Sequence, residues 1–335
     1  MLVPVPRGPL SGWLAARLLV HDDVATAPPS PAVTAHHVDA LHGDDLQLAL
    51  WMCYELHYQG FDDAAADLEW VTDVLTFRAE LERVFVDALR AEVGPIDVRP
   101  REIPTRLFEV TSDDSGRSLS NHLQRRADRA AFAEFVMHRS VYHLKEADPH
   151  TFAIPRLRGA AKAAMIEIQA DEYGGGRVER MHSTLFARLM DSLRLSTAYG
   201  EYVDCAPGIT LATSNLMSMF GLHRRWRGAA AGHLAAIEMT SSLPNRRYGQ
   251  GLRRLGGDDL ACAFYDEHVE ADAVHEQIAA HDLCGTLALD QPEVAEDIVF
   301  GAAACMRLEQ LFADHLLDAW SAQRSSLLPA ARRAA

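Results

Sequence analysis

The chain is poor in the features that mark several large protein classes. Its five cysteines (Cys53, Cys205, Cys262, Cys284 and Cys305) are scattered and include no CxxC pair. That argues against a disulfide framework or a zinc–thiolate site and fits a reducing, cytoplasmic setting. No run of about 18 apolar residues occurs, so no membrane span is expected. The opening MLVPVPRGPLSGWLAARLLVHDD lacks a cationic start followed by a long apolar core, and no signal peptide is read there. Basic charge is scarce. With 32 Lys and Arg against 47 Asp and Glu, the formal net charge is −15. Such a surface repels phosphates, so neither nucleic acid nor an anionic membrane is an expected partner. Also missing are strand–helix alternation, a GxGxxG or Walker loop, and any repeat of 20 to 50 residues.

What the chain does have is helical periodicity. DALHGDDLQLALWMCYELHYQ and LEWVTDVLTFRAELERVFVDALRAEV place apolar residues at three- and four-residue intervals. RADRAAFAEFVMHRSVYHLKEADPH repeats the pattern, with Pro149 expected to end that helix. A further helix interrupted at Gly174 to Gly176 follows, and helices fit 207–221, 226–242, 258–283 and 292–321. With 48% hydrophobic residues a sizeable core can form, and the fold class is an all-α bundle. Residues 1–35, rich in Pro and Ala, read as a loosely held arm. Residues 36–120 read as an N-terminal helical extension with a connector from about 94 to 118. The core spans 121–325, and 326–335 is a tail.

Candidate ligands then stand out. In DEHVEADAVHE (266–276), a helical advance of about 100° per residue puts Asp272 roughly 40° and His275 roughly 20° from His268, on opposite sides of it. These three form one stripe, which suits a metal or, equally, a surface or core-capping role. Glu267, Glu270 and Glu276 point elsewhere as solvated acids. Glu179-Arg-Met-His182 is a Glu-x-x-His pair, the spacing by which carboxylate-bridged di-iron bundles offer a bridging carboxylate and a terminal imidazole. Glu172 lies seven residues before Glu179, on nearly the same helical face. Glu238 sits among Leu234, Ala235, Ile237 and Met239, where a carboxylate is costly unless paired or metal-bound. Glu146 stands one turn before the expected helix stop, beside Lys145, and a surface ion pair is its competing reading. Glu55 and His57 are two residues apart and cannot share a helix face, so they read as packing or supporting groups. Carboxylates mixed with a few imidazoles suit iron with open positions; thiolate or all-histidine sets suit zinc or copper better.

The series LKEADPH, IQADEYGGGRVERMH, HLAAIEMTSSLP and FYDEHVEADAVHE resembles the haem-oxygenase-like di-iron oxidases and oxygenases, whose bacterial members are called iron-containing redox enzymes. The resemblance runs over roughly residues 50 to 320. It implies a haem-oxygenase-like bundle holding two Fe(II) ions on Glu146, Glu179, His182, Glu238, His268, Asp272 and His275. Glu172 is then an added carboxylate with a catalytic role, tuning one iron. It also implies dioxygen as co-substrate, a small-molecule substrate and an external electron donor, with no haem. The extra acid before the Glu-x-x-His resembles members that oxygenate nitrogen, which points to N-oxygenation of an amine or amino acid. Oxidative C–C cleavage or desaturation of an amino or fatty acid remains the alternative. A metal-free or iron-storing helical binding protein is the alternative of another class. Arg156, Arg177, Arg180, Arg246, Arg247 and Tyr248 are candidate substrate anchors, each equally suited to surface solvation. A homodimer is one assembly open to such a bundle.

Overall fold

The computed structural model describes residues 1–19, 27–30, 40–112 and 116–329, except for the side chains of 270–274. Among the described residues the regular structure is helical throughout, with no strand. The helices are α1 (Pro9–Leu19), α2 (Asp44–Glu55), α3 (Thr72–Val93), α4 (Ile103–Thr111), α5 (Leu119–Arg125), α6 (Arg129–His143), α7 (Asp148–Thr151), α8 (Gly159–Glu172), α9 (His182–Ser192), α10 (Gly208–Leu222), α11 (Arg227–Thr240), α12 (Ser242–Arg254), α13 (Asp259–Gln277), α14 (Thr286–Asp290) and α15 (Ala295–Ser321). A wider π turn, Ile278–Gly285, continues α13.

The core is built around α11 and α15, which pack against one another. Their backbones come close because each offers a glycine at the crossing. A methyl group on Gly232 would strike the carbonyl of Ile298, and one on Gly301 the carbonyl of Ala229. Phe220, Trp226 and Phe300 fill the space beside this contact. α6, α8, α9 and α13 surround the same interior and carry the polar cluster described below.

Three expectations change. The first 19 residues are no loose arm. Leu10, Trp13, Leu14 and Leu18 recur at helical spacing and are buried, with Trp13 against Phe77 at 4.7 Å. Asp45 accepts from the backbone N–H groups of Leu10 and Ser11 at 2.9 and 2.8 Å, and the Met1 amino group pairs with Asp62 at 2.9 Å. Of the remaining arm, residues 20–26 and 31–35 lie outside the described residues. The connector at 94–118 contains α4, buried through Ile103 and Leu107. Prolines 100 and 104 stand in the first turns of helical segments, where the missing N–H costs nothing, so they start structure instead of breaking it. Finally, α6 ends at His143, not at Pro149, and the chain turns through 144–147 before α7. The tail is held as far as it is described: Ser326 is buried and its hydroxyl lies 3.0 Å from His138.

A candidate metal centre inside the bundle

Glu146 follows α6 in the turn, buried, and faces histidines from three segments. The Nδ1–H of His143, three residues earlier, donates to its Oε1 at 2.8 Å. His268 Nε2 on α13 lies 3.6 Å from the same oxygen, and His182 Nδ1 on α9 lies 4.0 Å from Oε2. His268 donates from Nδ1 to the Phe264 carbonyl at 2.7 Å, one turn back on its own helix. That bond fixes the tautomer and puts the lone pair on Nε2, the atom aimed at Glu146. Ligand atoms of Glu146, His182 and His268 all lie within 4.8 Å of one another.

The backbone between α8 and α9 brings Glu172 into this group. Gly174, Gly175 and Gly176 all take positive φ (64°, 61° and 78°), a left-handed run that other residues rarely adopt. A side chain at Gly174 would also meet the backbone of Arg180 and Met181. The chain therefore doubles back sharply. Glu172, the last residue of α8, and His182, the first of α9, meet with Oε2 and Nδ1 2.9 Å apart. The Glu-x-x-His expectation fails for the same reason. Residues 178–180 form a separate turn outside α9, so i, i+3 geometry does not apply. Glu179 is exposed, and its carbonyl accepts from Arg188 at 3.1 Å. Glu172 occupies the place beside His182 that the sequence reading gave to Glu179.

Glu238 on α11 is buried, with Oε2 3.3 Å from His275 Nδ1. The other nitrogen of His275 contacts Asp171 at 3.0 Å. The Asp272 side chain lies outside the described residues. One small cavity, about 10 Å³, is bounded by Glu146, Glu172, Glu238 and His268. The described structure thus gathers Glu146, Glu172, His182, Glu238, His268 and His275, and leaves Glu179 outside.

Charge follows this geometry. Burial opposes ionisation of Glu146, yet the His143 contact and the hydrogen bond it donates hold the carboxyl well below its ordinary range. Burial lowers the His143 pKa and outweighs the neighbouring carboxylate. For His182 burial lowers the pKa, but the charge of Glu172 overcomes it and the net shift is upward. His275 is pushed up to about 9, chiefly by its contact with Glu238 and against desolvation.

These residues fit a metal. Glu146 Oε2, Glu172 Oε2, His182 Nδ1 and His275 Nδ1 are buried side-chain atoms with no well-formed hydrogen bond among the described residues, although several lie close together. Oxygen and nitrogen lone pairs that converge without a proper donor are what a cation satisfies. Three buried carboxyl groups border a cavity that no lysine or arginine lines. Uncompensated, that charge is costly. The donor set is oxygen and imidazole with no thiolate, which suits iron.

A second cavity, about 250 Å³, also reaches Glu146, His143 and His268, and continues past Arg139, Tyr248 and Glu309. Of the expected substrate anchors only Tyr248 lines it. Arg156 is committed to the carbonyls of Gly221 and Leu222, Arg180 lies near Glu267, Arg247 donates to Ser120, and Arg177 and Arg246 are exposed. Three residues passed over in the sequence reading matter here: His143, Asp171 and Arg139. His143 and Arg139 were discoverable as a four-residue pair on one face of α6, just before Glu146. Glu55 and His57 make contacts outside the cluster. Glu55 is fully buried against Lys145 Nζ at 2.9 Å, and His57 contacts Glu69 at 2.8 Å.

The family model for iron-containing redox enzymes matches residues 133–310. The nitrosourea synthase of Streptomyces achromogenes subsp. streptozoticus is 29% identical over 138 residues, 41% of this chain. The match spans only 29% of that protein's length. Two crystal structures of a CADD-like protein of unknown function from Nostoc punctiforme PCC 73102 share the fold. One has a TM-score of 0.52 at 17% identity, covering 65% of this chain and 97% of the other; the second gives 0.50, 16%, 67% and 97%. The match over more than half of the chain, on the helices that carry the buried carboxylates and histidines, makes this protein a member of the iron-containing redox enzyme family.

Proposed function

We propose that the protein is an O2-dependent non-haem di-iron oxygenase acting on a small molecule, with N-oxygenation of an amine or amino acid as its reaction. The observation that carries this reading is the junction of two cavities at Glu146 and His268. One is small and lined by carboxylates; the other has room for a substrate. Glu146, Glu172, His182, Glu238, His268 and His275 are the described residues that would hold two Fe(II) ions, with Asp272 proposed from its place in the His268–His275 stripe. When bound, iron supplies the one- and two-electron chemistry that protein side chains lack.

The chain's own residues prepare the site. His143 orients Glu146 through its Nδ1–H. The Phe264 carbonyl orients His268. Phe186, Leu216 and Met217 give the substrate space apolar walls. In the proposed reaction one oxygen atom of O2 bonds to the substrate nitrogen. The other leaves as water, with two electrons and two protons from an external reductant. The family match supports the redox class, and the relative named for nitrosourea synthesis supports nitrogen as the atom oxidised. With Glu179 exposed and Glu172 beside His182, only one of the two acids stands at the site, so the nitrogen reading rests on the named relative and not on an extra acid.

The test is oxygen uptake by iron-loaded protein, with reductant, across amines, amino acids and fatty acids, followed by mass spectrometry with 18O2. One labelled oxygen on nitrogen is the expected product. Loss of carbon, or a new C=C bond, would replace N-oxygenation with cleavage or desaturation. Iron uptake without substrate-triggered oxygen consumption would leave an iron-storing bundle.

A further inference from the structure

The larger cavity carries further charge besides the carboxylate cluster. Arg139 Nη1 and Nη2 both donate to the two oxygens of Glu309, the first at 2.8 Å and the second at 2.5 Å. Arg139 also stacks on Phe312, 4.4 Å from the ring centroid. Its own side chain is only 12% exposed, whereas Glu309 keeps 37% of its side-chain surface accessible and lines the cavity. Beside them is Tyr265, only 2% exposed and also lining the cavity, whose hydroxyl has no hydrogen-bond partner among the described residues. A buried hydroxyl left so is costly unless a ligand completes it.

These groups form one layer. Tyr265 contacts Tyr248 at 5.6 Å, Tyr248 contacts Phe135 at 4.9 Å, and Arg139 lies 5.6 Å from the Phe135 ring. Phe264 joins this layer to the carboxylate cluster: its ring lies 5.5 Å from Tyr265, and it touches His143 at 4.9 Å and His268 at 4.4 Å. Arg139 precedes His143 by four residues on α6, about 6 Å at helical rise, and Tyr265 precedes His268 by three on α13, about 4.5 Å.

Electrostatics narrows what fits. Arg139 and Glu309 already cancel, so this layer is neutral. A purely cationic amine or a purely anionic fatty acid would bring one uncompensated charge into it. A zwitterion adds no net charge, and each of its ends meets an opposite partner. We infer that Arg139, Glu309 and Tyr265 form a subsite for the head of an α-amino acid. Its ammonium sits against the open side of Glu309, and its carboxylate takes the remaining Arg139 N–H groups and the Tyr265 hydroxyl. The side chain then points toward Glu146 and His268. The atom oxidised belongs to that side chain and not to the α-amine. This inference rests on the proposed oxygenase reading for its consequence, but not for its test.

The test uses metal-free protein and calorimetric binding of the twenty proteinogenic L-amino acids. Each is paired with its decarboxylated amine and its deaminated acid. At least one amino acid is expected to bind about tenfold or more tightly than both of its counterparts. Tyr265→Phe is expected to weaken that amino acid about tenfold while leaving thermal stability unchanged or raised, because the lost hydroxyl has no partner in the protein. Glu309→Gln is expected to weaken it further. Equal or tighter binding of the amines or acids overturns the inference, as does silence across the whole panel or undiminished binding by Tyr265→Phe. Iron quantification of the same wild-type sample judges the di-iron reading separately, so the two fail distinguishably.

Discussion

At the scale of single residues, the decisive contrast is between Glu172 and Glu179. Both precede His182, and spacing favoured Glu179, at three residues. That rule holds only on a continuous helix, and the left-handed Gly174–Gly176 turn breaks the helix. Glu172→Gln is expected to weaken iron binding about tenfold or more, since even a supporting residue at a metal site commonly contributes that much. Glu179→Gln is expected to leave iron content at the wild-type level. Iron analysis after anaerobic loading and desalting checks both, and the reverse result would restore the Glu-x-x-His reading. His275 gives a pH signature. Its pKa in the metal-free protein is raised from 6.5 to about 9, so at neutral pH it carries a proton that a metal must displace. Apparent Fe(II) affinity should therefore rise from pH 7 to about 9 and then flatten, with proton release visible as a buffer-dependent binding heat. The same raised pKa stabilises the metal-free fold fully below about 6.5, and that contribution is lost as pH climbs through 9. Glu146 has the opposite sign. Its depressed pKa stabilises the fold above the ordinary carboxyl range, and that contribution is lost on acidification.

At the scale of elements, periodicity was enough to locate α10, α11, α13 and α15 to within a few residues, because each has a long apolar face with few competing turn signals. It failed where composition misled. Proline and alanine suggested an arm where Leu10, Trp13, Leu14 and Leu18 build a packed α1, and prolines suggested a connector where Ile103 and Leu107 anchor α4. The placing of His268 and His275 on one buried face of α13 was legible because a helix preserves spacing. The meeting of Glu172 with His182 was not, since it depends on a turn whose path no spacing rule encodes. The α11–α15 crossing makes a separate prediction. Gly301→Ala would drive a methyl into the Ala229 carbonyl, so the helices must part. A loss of about 1–3 kcal/mol in urea denaturation is expected. An unchanged midpoint would show that the crossing has slack.

For the molecule as a whole, the polar interior and the fold are interdependent. Buried carboxylates and histidines meet from α6 and the turn after it, α8, α9, α11 and α13, so closing these helices brings their ionisable groups into one interior. Iron binding to the folded chain should raise the melting temperature in proportion to its affinity and concentration, and chelation should lower it without abolishing helical circular dichroism. The −15 surface charge and the absence, among the described residues, of a helix long and apolar enough to cross a membrane bear on partners and say nothing of chemistry. Chemistry rests on the buried cluster, and the measurement that tests it most directly is an anaerobic Fe(II) titration of the metal-free protein. It would be read as bound iron per chain in wild type and in the Glu172→Gln and His268→Ala variants. The account predicts two irons per chain in wild type and fewer than two in each variant. One iron or none in wild type, or two in both variants, would contradict it.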